Sequence, residues 1–229
     1  MSAASNPITY PYEELNIDKA EIRAVEGMGL GLFATQDISA GELIFRDSPL
    51  LIMDDVRDIN EFGDRYLSLP KNLVPYLDSG AISGERYERD VDAKTLQFHY
   101  WWTRKNEFAV DIDAQSDYWF PMIDKIVRAY SIFRNNAADA DDGTEKSAFY
   151  PTFSRINHSC DPSAGWPIGP GPDYIVSIVA RRDIPAGEQI FVTYSGTVSS
   201  TTTILNREER QDILSDWGFI CSCTRCAPE

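Results

Sequence analysis

Arg155-Ile156-Asn157-His158-Ser159-Cys160-Asp161-Pro162 and Trp217-Gly218-Phe219-Ile220-Cys221-Ser222-Cys223-Thr224-Arg225-Cys226 contain all four cysteines of this 229-residue chain. Three stand as C-x-C-x-x-C, and Cys160 lies far upstream. Four thiolates at about 2.3 Å satisfy a tetrahedral zinc ion and leave no open position, so Cys160, Cys221, Cys223 and Cys226 read as a structural metal site. Such a site staples the C-terminus onto the mid-chain segment that carries Asn157 and His158. The competing reading is four reduced thiols without metal.

The totals set bounds. Hydrophobic residues make up 43% and aromatics 12%, enough to bury a core and to exclude a globally disordered chain. The length fits one large domain, or one domain with an insertion. A formal charge of −15 argues against nucleic-acid phosphates as the main partner. It suits a basic partner drawn in by long-range steering, with plain solubility as the alternative. No apolar run approaches the roughly 18 residues of a membrane helix. Met1-Ser2-Ala3-Ala4-Ser5-Asn6-Pro7 lacks the basic and apolar regions of a secretory signal. An intracellular site, cytoplasmic, nuclear or both, is therefore expected. There, clustered cysteines mean metal more often than disulfide.

Residues 1–19 read as a flexible lead-in. In residues 20–53, Ala20-Glu21-Ile22-Arg23-Ala24-Val25 alternates as a half-buried strand does, and Ser39-Ala40-Gly41 marks a turn between further strands. Residues 54–135 change character. Amphipathic stretches over 56–69, 93–102 and 118–133 predict a helical insertion, with Tyr100-Trp101-Trp102 as a core anchor. Strands resume in 136–200, notably 174–179 and 189–194, around the turn Asp183-Ile184-Pro185-Ala186-Gly187. Residues 201–229 read as a helix, with Leu205, Ile213 and Leu214 at helical intervals, followed by the cysteines. No internal repeat of useful length stands out.

Gly29-Leu30-Gly31-Leu32-Phe33-Ala34 matches the G-x-G-x-x-A dinucleotide fingerprint. That motif needs a helix after the glycines, whereas Thr35-Gln36-Asp37-Ile38-Ser39-Ala40-Gly41 is turn chemistry leading to another strand, so a Rossmann site is rejected. The glycines still permit close approach of a ligand to the backbone, or simply a turn. Asp139, Asp141 and Asp142 match a calcium loop poorly, because the glycine is out of register with them and the closing Glu is absent at the right place. Asn157 and His158 side by side can present polar groups to one heterocycle. His158 alone reads equally as a structural histidine or a metal ligand. Tyr194 ends an apolar strand, an ordinary place for a tyrosine.

Taken in order, these pieces resemble the SET domain of protein-lysine methyltransferases. Residues 27–42 look like the family's first motif, 155–162 like its asparagine-histidine motif, 187–194 like its closing strand and tyrosine, and 217–226 like its post-SET zinc segment. The order is that of the family. The resemblance implies a mainly β fold of the β-clip type, with a pseudoknot, a helical insertion and a C-terminal post-SET zinc segment. It is nearest to the split-SET subgroup related to SET-and-MYND proteins, without the cysteines for a MYND zinc module. It also implies S-adenosyl-L-methionine as cofactor, approached by Gly29, Leu30, Gly31, Asn136, Asn157 and His158. Phe219 would stack on its adenine, and one structural Zn2+ would sit on the four cysteines. Tyr194 would orient a substrate lysine. The implied partner is a lysine-bearing protein or peptide, with no direct nucleic-acid or membrane contact. The alternative is a SET scaffold repurposed as a binding module, or as an enzyme acting on a small molecule without methyl transfer.

Overall fold

The computed structural model describes residues 17–80, 112–140, 146–166, 174–194 and 205–227, with backbone alone for 112–120. The expected helix over 93–102, its aromatic triplet, residues 141–145 and most of the lead-in lie outside these residues. In chain order the elements are β1 (Ala20–Val25), β2 (Gly29–Ala34), β3 (Leu43–Asp47), β4 (Leu51–Met53), α1 (Ile59–Ser68), α2 (Val74–Asp78), α3 (Ile112–Asn136), β5 (Ala138–Asp139), β6 (Ser147–Phe149), β7 (Asn157–His158), β8 (Ala164–Gly165), β9 (Val176–Ala180), β10 (Gln189–Val192) and α4 (Arg207–Ser215).

Among the described residues the strands form three small sheets, ordered β1-β2-β10-β7, β3-β9-β8 and β4-β6-β5. β1 and β2 are a hairpin in register from Ala20↔Ala34 to Val25↔Gly29. Gly27 and Gly29 close it with φ of +74° and +76°, a backbone that side-chain-bearing residues avoid. β10 lies between β2, to which it is antiparallel, and β7, to which it is parallel. The strand leading to Tyr194 is thus slotted between two earlier segments, the crossing that the expected pseudoknot requires. Ser163, fully buried, holds the slot shut: its Oγ accepts the Phe191 N–H at 3.0 Å.

A short repeat does exist, contrary to expectation. Ala34-Thr35-Gln36-Asp37-Ile38-Ser39-Ala40-Gly41-Glu42-Leu43-Ile44-Phe45 and Ala180-Arg181-Arg182-Asp183-Ile184-Pro185-Ala186-Gly187-Glu188-Gln189-Ile190-Phe191 agree at eight of twelve positions. The two copies pair reciprocally. Ile38 and Ile184 exchange N–H···O bonds of 2.9 Å in both directions. The Ala40 N–H donates to Asp183 Oδ1 at 2.8 Å, and the Ala186 N–H donates to Asp37 Oδ1 at 2.9 Å. Gly41 and Gly187 take φ of +82° and +83°. The likeness is legible in the letters once the two segments are aligned, and the fold adds that they pair with each other.

The first core lies among these strands, with Leu32, Ile38, Ile178, Ile184 and Ile190 almost fully buried. The second lies under α1 and α3, where Phe62 meets the rings of Tyr130 and Phe133 at 5.4 and 5.5 Å. α1 begins where Asp58 Oδ1 accepts the N–H of Asn60 at 2.8 Å and of Glu61 at 3.2 Å. The helical spacing over 118–133 is realised within the 25 residues of α3, whose Ile123, Ile126, Val127, Tyr130 and Phe133 are buried. Asp47 is buried too, and its Oδ2 accepts the Thr152 and Phe153 N–H groups at 2.7 and 2.8 Å. It thereby fixes the 3-10 turn Phe153–Arg155 that leads into β7. Burial raises its carboxyl to about 6, against the opposing pull of those N–H groups and of Arg155.

α4 departs from its apolar pattern. Leu214 is buried, but Ile213 is 37% exposed, and Arg210 takes an inward position at 6%. A capping box sets the helix start: Asn206 Oδ1 accepts the Glu209 N–H at 3.0 Å, and the Asn206 N–H donates to Glu209 Oε2 at 2.7 Å.

Candidate active site and cysteine cluster

The β1–β2 turn, the end of α3, β7 and the segment after α4 surround a cavity of about 640 Å³. Gly29, Leu30, Asn136, Asn157, His158, Tyr194 and Phe219 all line it. Gly31 does not; it lies behind the wall. A Cβ there would meet Gln189 Nε2 at 2.6 Å, Val25 Cγ2 at 2.8 Å and Asn157 Nδ2 at 3.1 Å. Gly31 therefore makes room for Asn157, whose Nδ2 donates to Leu30 O at 2.9 Å and ties β7 to the hairpin.

His158 is engaged at both ring nitrogens. Nδ1 accepts the Tyr194 N–H at 2.9 Å, which places the ring proton on Nε2, 3.3 Å from Cys160 Sγ. Burial, with Arg210 nearby, lowers its pKa to about 4, so the ring is neutral at pH 7. Its ring nitrogens are thus both engaged within the protein, while the residue lines the cavity. The ring centroid lies 5.3 Å from that of Tyr194 and 6.0 Å from that of Phe219.

Tyr194 donates its hydroxyl to Ile156 O at 2.9 Å. Burial pushes the phenol above its ordinary value, so it stays protonated. A second cavity of about 320 Å³ also reaches Tyr194 and is lined by Phe153, Trp166 and Asp139 among others. Asn135, Asn136, Ser154, Tyr194 and Trp217 line both cavities. Trp217, 5.6 Å from the Tyr194 ring, is a junction residue that the sequence reading missed. Its signal was its place at the head of the quoted cysteine segment. Gly80 was missed as well: on the cavity wall, a Cβ there would lie 2.3 Å from Ile132 Cγ2. Arg155, quoted at the head of its motif, braces the same wall through Nη1 to Ser79 O at 2.9 Å and Nη2 to Tyr76 O at 2.8 Å.

The four cysteine sulfurs converge, all within 4.8 Å of one another. Cys160 Sγ lies 3.9 Å from Cys221 Sγ and 3.5 Å from Cys226 Sγ. A tetrahedral ion with bonds of about 2.3 Å spaces its sulfurs about 3.8 Å apart, so the donor set fits zinc. Burial pushes the Cys160 and Cys221 thiols up. Burial also opposes ionisation of Cys223, but hydrogen bonds from Cys221 and from the backbone of Cys160, Cys226 and Arg225 draw it down to about 6.

Residues 29–195 match the profile of the SET domain, and the chain belongs to that family. Among curated proteins it is 35% identical over 80 residues to the histone-lysine N-methyltransferase SET5 of Scheffersomyces stipitis, covering 35% of this chain and 16% of that protein. It is 38% identical over 98 residues to set5 of Schizosaccharomyces pombe, covering 42% of this chain and 28% of that protein. It is also 35% identical over 86 residues to the histone-lysine N-methyltransferase ATXR2 of Arabidopsis thaliana, covering 37% and 17%. The matched stretches are thus a minor share of each relative's length. A solved structure of the SET domain of LSMT bound to MeLysine and AdoHcy superposes with a TM-score of 0.51 at 19% identity, covering 89% of this chain and 52% of that one. The likeness is one of fold. No described helix is long and apolar enough to cross a membrane.

Proposed function

We propose that this chain is an S-adenosylmethionine-dependent methyltransferase that N-methylates lysine side chains of a protein substrate. The observation that carries the reading is the meeting of two cavities at Tyr194 and Trp217. One is large enough for a nucleoside cofactor, and the other is smaller, with Phe153, Trp166, Tyr194 and Trp217 among its lining. The similar relatives carry the name histone-lysine N-methyltransferase, so lysine-rich histone tails are the first substrates to try. The charge of −15 favours such basic partners. If histones are the substrate, the protein acts in the nucleus.

Gly29, Leu30, Asn136, Asn157 and the His158 backbone would hold the cofactor, with Phe219 against its adenine. When bound, it supplies an electrophilic methyl group on a sulfonium. The protein's part is positioning and desolvation. A free lysine amine, with a pKa of about 10.4, must be neutral to attack, and apolar walls such as Phe153, Trp166 and Trp217 favour the neutral form. Tyr194, protonated and anchored on Ile156 O, would orient the amine, and most of the rate would come from alignment. Cys160, Cys221, Cys223 and Cys226 would hold one structural zinc that seats Trp217 and Phe219 in the wall. Residues 54–135 would be the insertion of a split SET domain.

The test is calorimetric titration of zinc-loaded protein with S-adenosylmethionine, followed by transfer of labelled methyl to histone peptides. Binding and transfer, with transfer falling at least tenfold in Tyr194→Phe while binding persists, is the expected result. Failure to bind the cofactor sinks the reading and leaves the repurposed scaffold.

A further inference from the structure

α4 brings a charge to the cysteines. Arg210, 6% exposed, donates from Nη1 to Leu205 O at 2.7 Å. Its Nη2 donates to Arg225 O at 3.1 Å and to Cys226 Sγ at 3.5 Å. Its Nε is buried without a partner. No carboxylate pairs with it among the described residues. A guanidinium stays charged, and burying it without an opposite charge is strongly unfavourable. Four neutral thiols provide no such charge. Four thiolates around a divalent ion carry a net −2.

We infer that Arg210 is the buried counter-charge of the cysteine cluster, so that metal loading and the docking of α4 are one event. The inference rests on the reading of the cluster as a metal site. Its neighbour Gln211 clamps the same segment without charge: Nε2 donates to Cys221 O at 2.7 Å, and the Cys221 N–H donates to Oε1 at 2.9 Å. Leu214 packs into the apolar shell of the cluster. Trp217 and Phe219 lie on the chain between α4 and Cys221, so the docked helix and the cysteines hold the cavity wall from both ends. Loading thereby decides whether that wall is in place.

The experiment uses the whole chain with cobalt(II) as the spectroscopic probe and zinc(II) in competition with a chelator. Arg210→Met keeps much of the length and removes the charge; Arg210→Lys keeps the charge. Arg210→Met should retain the sulfur-to-cobalt absorption of a four-thiolate site but bind zinc 10–100-fold more weakly, the usual scale for an outer partner of a metal ligand. Arg210→Lys should recover most of that loss. In the unaltered protein, chelation should raise hydrogen exchange across residues 207–215 together with 221–226, while β1 and β2 remain protected. Zinc affinity of Arg210→Met within twofold of the parent overturns the inference, as does an α4 that keeps its protection after chelation. Should Arg210→Met fail to fold, the exchange experiment and Arg210→Lys decide. If the unaltered chain binds neither metal, the metal reading itself fails, a result distinct from loss of the counter-charge alone.

Discussion

Gly31→Ala tests how the cavity wall is built, because Gly31 acts on the cavity without lining it. The backbone there is not left-handed, so alanine meets no conformational barrier and gains about 0.4–1 kcal/mol by restricting the unfolded chain. Against this stand contacts of 2.6, 2.8 and 3.1 Å to Gln189, Val25 and Asn157. Overpacking of this kind costs about 1–3 kcal/mol. If Asn157 moves, its bond to Leu30 O goes too, about 0.5–1.5 kcal/mol more. A net destabilisation of about 0.5–4 kcal/mol follows, with S-adenosylmethionine affinity lowered through the displaced Asn157. Gly29→Ala is the comparison. Nothing lies within 4 Å of a Cβ there, but φ is +76°, so its cost of about 1–2 kcal/mol is backbone strain alone. Urea unfolding and calorimetric titration measure both effects. Adding Gln189→Ala, which removes the shortest contact and a buried nitrogen without a partner, should recover part of the Gly31→Ala loss and none of the Gly29→Ala loss. A Gly31→Ala protein within 0.5 kcal/mol of the parent, or equal rescue of both variants, refutes the reasoning.

Three further outcomes are expected. Chelating the metal should abolish cofactor binding before the β core unfolds, read by calorimetry beside far-UV circular dichroism; unchanged affinity would show that the cysteines do not seat the wall. Asp47 is raised from 3.8 to about 6, so its contribution to stability is greatest below the unfolded value and is lost as pH rises through about 6. Asp47→Asn should therefore become more stable relative to the parent by about 2 kcal/mol between pH 4.5 and 7.5, and a pH-independent difference contradicts the assignment. Asn206→Ala removes the capping box of α4 and should cost about 1 kcal/mol in urea unfolding, with cofactor affinity falling alongside; loss of stability with affinity intact would uncouple α4 from the cavity.

Several residues that the fold brings together were legible as candidates because each belongs to a short local pattern. The glycines of the hairpin turn, the Asn157-His158 pair, the strand ending in Tyr194 and the cysteine spacing are all read over a few neighbouring positions. Trp217 and Gly80 were not legible as site residues. Trp217 matters because it lies 5.6 Å from Tyr194, and Gly80 because it touches α3, and neither relation leaves a trace in adjacent letters. The role of His158 was half legible. Its place beside Asn157 pointed to the cavity, whereas the packed chain turns its nitrogens to the Tyr194 N–H and the Cys160 sulfur.

By itself the sequence determined the strand and helix periods, the turns at Gly41 and Gly187, and which four thiols were available to share a metal. These follow from local sterics and from residue chemistry. Tertiary structure decided that β10 enters between β2 and β7, and that the two similar segments around Ile38 and Ile184 clasp each other. It also decided that α4 turns Arg210 inward and Ile213 out. Those choices depend on partners far apart in the chain, and which face of a helix is buried depends on what it meets. Around α4 that is the cysteine cluster, against which Arg210 and Leu214 are buried while Ile213 is left 37% exposed.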